Sequence, residues 1–476
     1  MNETIQKEHL QRGLSNRHLQ LIAIGGAIGT GLFMGSGKLA HASGPSILLV
    51  YMVLGFFLFF TMRALGEMLL NNLNYKTFGD VAKDYLGPWA GFFTSWTYWL
   101  IWVSACIADI VAIVGYVHFF NKDIPFWIPA LIVTAILMLL NLQPVKWFGE
   151  TEFWFALIKI VAIVGLLLVG GWMIVSGFTS PSGVKASLGN LWEHEGFFPK
   201  GVHGFLLGFQ MGVFSFIGVE MVGTAAAETK DPHKNLPRAV NSIMVRITIF
   251  YVGALAVILS ITPWNLLDPK QSPFVATLSL AGLGLAAVII NLVVLTSATS
   301  SANSGIYSTA RMMFTLAKDG HSVKAFGKIS SNGVPRNAAM FSAGLTILAI
   351  PLMMNDNLLD AFTTVSTVCA MLILFVWSII MISYLKYRKT SPELHTASKF
   401  KMPLSGFMPY LVLAFFAALY VTLLLAEDTR LPALLTPIWF VLLGAAWAWR
   451  RKALLAAGLP LTQSIPTVQP KTHDEK

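Results

Sequence analysis

Gly25-Gly26-Ala27-Ile28-Gly29-Thr30-Gly31 lies in the middle of the first membrane-length apolar run of the chain, about residues 19–42. Each glycine inside a helix costs about 1 kcal/mol relative to alanine, and Gly25, Gly26, Gly29 and Gly31 crowd into this one stretch. A helix broken at membrane depth is tolerated only where the freed backbone is buried in protein or lines a watery cavity. Discontinuous helices of this kind offer bare N–H and C=O groups to a substrate or an ion. The stretch therefore predicts a membrane protein of the transporter type, with a binding site made largely of backbone.

The rest of the sequence agrees. Of 476 residues, 55% are hydrophobic and only 12% charged, and the mean hydropathy is +0.66, a composition foreign to soluble domains. Twelve runs approach or exceed spanning length: about 19–42, 46–70, 89–119, 125–142, 152–176, 202–227, 239–262, 275–310, 338–354, 359–385, 406–426 and 432–449. The third and eighth are longer than a bilayer requires, which predicts tilt or extension beyond it.

The net charge of +10 raises the question of nucleic acid, but its distribution points to membrane orientation instead. With both termini inside, the inner segments hold Arg311, Lys318, Lys324, Lys328 and Arg336, and the cluster Lys386, Arg388, Lys389, Lys399 and Lys401. The outer segments hold only Lys122, Lys185, Lys200, Lys270 and Arg430. This is the positive-inside bias. The polar start, with no small-residue cleavage site after the first apolar run, gives no sign of a removable signal peptide. Cys106 and Cys369 fall inside spans and are expected as buried small hydrophobes, and no Cys/His spacing suggests a metal.

A second weak point, Phe214-Ser215-Phe216-Ile217-Gly218-Val219-Glu220, sits in the middle of the sixth run. Glu220 is near mid-membrane, where an ionisable side chain is a functional candidate by default. Runs 1 and 6 each open a set of five, and the two sets enter the membrane from opposite sides. That is the layout of an inverted repeat with paired broken helices facing one another at the midplane. The predicted organisation is a cytoplasmic segment 1–17, one transmembrane domain 18–455 with repeats at about 18–177 and 201–386 and extra helices at 406–449, and a disordered cytoplasmic tail 456–476.

Several motifs are specific in combination. Ala23-Ile24-Gly25-Gly26-Ala27-Ile28-Gly29-Thr30-Gly31-Leu32-Phe33 resembles the first-helix signature of the amino acid–polyamine–organocation (APC) superfamily of permeases. Glu228-Thr229-Lys230-Asp231-Pro232-His233-Lys234-Asn235-Leu236-Pro237-Arg238-Ala239 is similar to that family's loop after the sixth span, and Gly149-Glu150-Thr151-Glu152-Phe153-Trp154-Phe155 with Lys159 resembles its bacterial amino acid transporter branch. The likeness covers about residues 10–455. It implies an all-α membrane protein of twelve transmembrane helices, a LeuT-like 5+5 inverted repeat with broken helices 1 and 6 and two extra helices. It further implies a bacterial inner-membrane location and secondary active import of amino acids by alternating access, coupled to protons, without enzymatic activity or cofactor.

The chemistry is consistent with that expectation. A zwitterion needs donors for its carboxylate and acceptors for its ammonium. N–H groups near Gly29, Thr30 and Gly31 at a half-helix start can supply donors, and carbonyls near Ala27 and Ile217, beside Gly218, can supply acceptors. A competing reading makes Gly25-xxx-Gly29 and Gly31-xxx-Gly35 close-packing motifs; the two are compatible. Phe214 matches the family's aromatic gate, against ordinary core packing as the alternative. No acidic cluster awaits a cationic substrate, so small neutral amino acids are expected; the resemblance points to glycine, D-alanine and D-serine, with L-alanine as a further candidate.

Lys159, a third of the way into span 5, matches a proton-coupling lysine that in some proton-driven members stands in for a sodium ion, against a lysine that snorkels to the inner interface as the alternative. Thr296, Ser297, Thr299, Ser300, Ser301 and Ser304 on span 8 offer hydroxyls near it. Glu152 shares its helix face but lies about 10 Å away along the axis, too far to pair directly. Glu220 and Asp109 are candidates for gate or relay, whereas Arg63, Glu67 and Arg246 are expected to anchor at the inner face. Trp89, Trp127, Trp172 and Trp439 are expected in interfacial belts. The alternatives are an exchanger or a permease of the same fold with another neutral amino acid preference and, ranked below these, a non-transporting nutrient sensor. An enzyme is excluded by the lack of any nucleophile–base set, and Gly26-x-x-Gly29-x-Gly31 lacks the β-α-β context of a dinucleotide fingerprint.

Overall fold

In the computed structural model, residues 28–75, 77–181, 183–221, 231–330, 332–354, 357–456, 458 and 461 are described. Their regular structure is helical, apart from an isolated bridge between Thr179 and Lys185. Each of the twelve apolar runs carries a helix, and helices are numbered here by run. Eight uninterrupted helical stretches are long and apolar enough to cross a membrane. The first, Gly31–Asn71, contains two runs that meet at Gly44, whose φ of 59° permits the sharp turn.

Helix 1 starts at Thr30 with a π-helical turn, Gly31–Gly35, and continues as Ser36–Ser43; helix 2 is Ile47–Asn71. Helix 3 is Pro88–His118, helix 4 Trp127–Asn141 and helix 5 Val145–Ser176. Helix 6, Gly201–Ser215, gives way to turns over 216–220. Helix 7 is Pro232–Ile261 and helix 8 Gly284–Lys318. Helix 9 is Arg336–Leu352, helix 10 Leu358–Thr390, helix 11 Met408–Leu425 and helix 12 Glu427–Ala456.

Several boundaries differ from expectation, and two of them have a clear local cause. Helix 5 begins at Val145, about two turns before residue 152, because Pro144 stops the chain just ahead of it and fixes its first turn. The run at 275–310 is not continuous. Pro273–Leu280 is a separate short helix, and Gly282 at φ 78° turns the chain before helix 8 starts.

Helices 3, 8 and 10 form the centre. Gly305 of helix 8 admits helix 3 so closely that a Cβ there would fall 2.6 Å from Cys106 Sγ. Cys106 and Cys369 are both buried thiols, as small hydrophobes should be. Helix 12 shows the opposite character: Leu431, Leu434, Leu435, Ile438, Val441 and Leu442 are exposed apolar side chains, the surface that lipid would cover.

Glu67 is not an anchor at a membrane face. It is fully buried, because residues 398–402 fold over the end of helix 2. Its carboxylate accepts from Tyr384 Oη (2.7 Å), Tyr387 Oη (3.3 Å) and the Met402 N–H (2.8 Å), and pairs with His395 Nδ1 (2.6 Å). Arg63 lies over the Phe400 ring and reaches Asn241 Oδ1 at 3.1 Å. Arg246 folds back along its own helix to Ser242 and to the Ala239 carbonyl. Trp89, Trp127 and Trp172 are exposed, as belt residues should be. Trp439 instead packs inward, its Nε1 donating to Thr97 Oγ1 at 3.2 Å.

Candidate binding site at the paired helix breaks

The two weak points meet. A Cβ on Gly31 would lie 2.5 Å from Ser215 Cα and 2.9 Å from Ser215 N, and one on Gly35 would lie 2.6 Å from Met211 Cγ. Gly31 and Gly35 are therefore the close-packing pair that brings helix 1 against helix 6. Gly29 is different: the nearest atom to a Cβ there is Ser301 Oγ at 3.7 Å, an ordinary contact. Among the described residues, packing does not demand a glycine at 29.

Each break ends in polar fittings. Among the described residues, helix 1 makes its first backbone bonds from Leu32 and Phe33 N–H to the Gly29 carbonyl, at 3.1 and 3.3 Å. The N–H groups of Gly29, Thr30 and Gly31 thus precede the first closed turn, at the positive end of the helix dipole. Just before them, the Ile28 carbonyl accepts from Ser297 of helix 8 at 3.1 Å. The Thr30 hydroxyl donates to Asp109 of helix 3, and both side chains are buried.

At helix 6, the Ser215 carbonyl accepts from Tyr251 Oη at 2.9 Å, and the Tyr51 hydroxyl lies 3.3 Å from Ser215 Oγ. Phe216 stacks on Tyr251 with ring centroids 5.1 Å apart. Gly218 takes φ 102°, a conformation open to glycine. Its N–H is already engaged by the Glu220 carboxylate, at 3.0 and 3.2 Å, and Tyr98 Oη donates to Glu220 at 3.1 Å. Glu220 is thus fully buried and braces the turn. Phe214 and Ile217 are buried beside it, Phe214 meeting Phe362 edge-on at 5.6 Å. Ala27, like Gly25 and Gly26, lies outside the described residues.

Lys159 comes from helix 5 to helix 8, where its Nζ donates to Ser300 Oγ at 3.1 Å. Ser300 Oγ in turn donates to Glu152 Oε2 at 2.7 Å. The two charged groups do not touch, in keeping with their axial separation, yet a hydroxyl on another helix joins them. Of the other helix 8 hydroxyls, Thr296 and Thr299 bond to carbonyls of their own helix, Val293 and Leu295. Asn303 and Asn141 complete the network around Glu152, with bonds of 2.8 Å each. This network escaped the sequence reading, although Asn141 and Asn303 inside apolar runs were signals of it.

The breaks are tightly packed, with Ile28, Thr30, Gly31, Phe214, Ile217 and Gly218 all buried. A cavity of about 570 Å³ lies elsewhere, among loop residues that include Lys185, Glu193, His194 and Asn265, and shares no side chain with the breaks. Among the described residues no group of three metal-ligating side chains is present.

The family model described as amino acid permease matches residues 18–456. The D-serine/D-alanine/glycine transporter of Escherichia coli (strain K12) is 55% identical over 443 residues, 93% of this chain and 94% of that protein. The amino-acid permease AapA of Bacillus subtilis (strain 168) is 51% identical over 440 residues, 92% and 94% of the two chains. The aromatic amino acid transport protein AroP of Escherichia coli (strain K12) is 38% identical over 452 residues, 94% and 97%.

Proposed function

The chain belongs to the amino acid permease family, and on that premise we propose that it imports small neutral amino acids: glycine, D-alanine and D-serine, with L-alanine as a further candidate. Import is by alternating access and is driven by protons through Lys159. The architecture proposed is a twelve-helix LeuT-like 5+5 inverted repeat in the bacterial cytoplasmic membrane, with both termini cytoplasmic. Its single transporter domain has the two repeats and extra helices at the boundaries given above.

The observation that carries the reading is the contact between the breaks, Gly31 against Ser215. It supports a site where the substrate carboxylate meets the N–H groups of Gly29, Thr30 and Gly31, and the ammonium meets backbone carbonyls such as that of Ile217, with Ala27 as a further acceptor. Phe214 closes over it. Gly218 contributes turn geometry, since its N–H is bound by Glu220. A site built on main chain reads the groups all amino acids share, which is compatible with relatives named for substrates as unlike as glycine and aromatic amino acids. The proton role is supported by the burial of Lys159 and by the helix it touches: helix 8 holds Lys159 through Ser300 and the helix 1 break through Ser297. A change of charge at Lys159 is thus one helix away from the site.

The test is uptake of labelled glycine by purified protein in sodium-free liposomes under an inward proton gradient. Competition by excess D-alanine, D-serine and L-alanine, but not by L-lysine or L-phenylalanine, is the expected result. Absence of glycine uptake, with no inhibition by small amino acids, would overturn the substrate assignment. Uptake indifferent to collapse of the gradient would overturn the proton drive in favour of exchange or facilitated flow.

A further inference from the structure

Lys159, Ser300, Glu152, Asn303 and Asn141 form one buried chain across helices 5, 8 and 4, every member less than a tenth exposed. Its hydrogen bonds run head to tail: Lys159 Nζ donates to Ser300 Oγ, and Ser300 Oγ donates to Glu152 Oε2. The other oxygen of Glu152 is held by Asn303 Nδ2, and Asn303 Oδ1 by Asn141 Nδ2. A carboxylate is an expensive way to build such a network, because a buried charge costs several kcal/mol before pairing and a neutral amide would bond as well.

We infer that Glu152 is the proton acceptor of Lys159, with Ser300 as the relay between them; this rests on Lys159 being the coupling group. The step balances. The Lys159 ammonium gives a proton to Ser300 Oγ as Ser300 gives its own hydroxyl proton to Glu152 Oε2. The products are a neutral amine, an intact hydroxyl and a carboxylic acid. The chain then runs in reverse, Glu152 donating to Ser300 and Ser300 to the amine, while Glu152 Oε1 still accepts from Asn303. Both proton positions therefore keep the same number of hydrogen bonds. This is what a relay requires and what a purely structural ion pair does not.

Glu152 lies seven residues nearer the start of helix 5 than Lys159, so the step through Ser300, over bonds of 3.1 and 2.7 Å, moves the proton toward that end of the helix. The other charged group coupled to Lys159 is Asp109 of helix 3, whose hydroxyl partner is Thr30 at the helix 1 break. Among the described residues, helices 4 and 8 bring amides and hydroxyls to this chain: Asn141, Ser300, Asn303 and Ser304. Lys159 therefore stands between an acid at the substrate site and an acid away from it.

The test compares two rates in proteoliposomes for each variant: glycine exchange at equal glycine on both sides without a gradient, and glycine accumulation driven by an imposed proton gradient. For Glu152→Gln, near-isosteric and able to bond in the same place, the ratio of accumulation to exchange should fall about tenfold or more, a modest effect for loss of a positioned proton acceptor. Ser300→Ala should lower the same ratio, and Ser300→Thr, which keeps the hydroxyl, should restore it; these two carry the test if Glu152→Gln does not fold. A wild-type ratio in Glu152→Gln or in Ser300→Ala would overturn the relay. So would parallel loss of both rates in Ser300→Ala and Ser300→Thr alike, which marks a structural role. Failure of the wild type to accumulate glycine, or full accumulation by Lys159→Ala, would instead overturn the coupling role of Lys159 on which the relay stands.

Discussion

A methyl group on Gly31 has nowhere to go, since it would press on the main chain of Ser215 rather than on a yielding side chain. Gly31→Ala should therefore destabilise the protein by about 1–3 kcal/mol, the usual cost of overpacking, seen as a lower melting temperature in detergent. Gly29→Ala has room for its methyl beside Ser301. It should leave the melting temperature unchanged and raise the KM for glycine; an unaltered KM would remove Gly29 from the site. The sequence could not separate these two glycines. Both sit in the same Gly-rich stretch, and the distinction depends on Ser215, which lies nearly two hundred residues away. The same distance hid the partnership of Lys159 and Glu152. Their spacing along helix 5 correctly excluded a direct pair, but the bridge is a serine from helix 8.

Helix ends in this protein are held by side chains from other elements. Tyr251 of helix 7 satisfies the Ser215 carbonyl where helix 6 breaks. Tyr251→Phe should cost about 1 kcal/mol for that one bond, measured by thermal unfolding, with no change expected in the stacking on Phe216. At the end of helix 2, Glu67 gathers donors from Tyr384, Tyr387, Met402 and His395. Glu67→Leu would orphan buried donors at about 1–3 kcal/mol each, and should expose residues 391–405 to protease in inside-out vesicles; unchanged resistance would show that Glu67 does not hold this segment. Helix existence was legible from apolar runs alone, because hydrocarbon length sets their size. Burial of a helix end was not, because residues 398–402, a short stretch of mixed polar and apolar residues, cover Glu67 only once the chain has folded. The division at Gly282 was visible as Gly282-Leu283-Gly284, yet the apolar residues on both sides outweighed it.

At the scale of the whole molecule, the start of helix 1 among the described residues touches the end of helix 6, and helix 8 links that contact to a buried lysine. If the proposed coupling role of Lys159 holds, its ammonium takes the place of a metal, and replacing sodium with choline should leave gradient-driven glycine uptake unchanged. A strict sodium requirement would contradict the role given to Lys159. The transporter class could be read from the apolar runs and the Gly25–Gly31 stretch, and the interruption of helix 6 from Gly218, because backbone weakness is written directly in glycine. Selectivity among small amino acids could not, since the proposed main-chain contacts are ones that all amino acids can make. The central claim is that amino acid and proton move together through Lys159, and the lumenal pH of proteoliposomes tests it most directly. With no imposed gradient, glycine added outside should acidify the lumen of wild-type vesicles, and Lys159→Ala should pass glycine without acidification. Glycine entry into wild-type vesicles at constant lumenal pH would contradict the account.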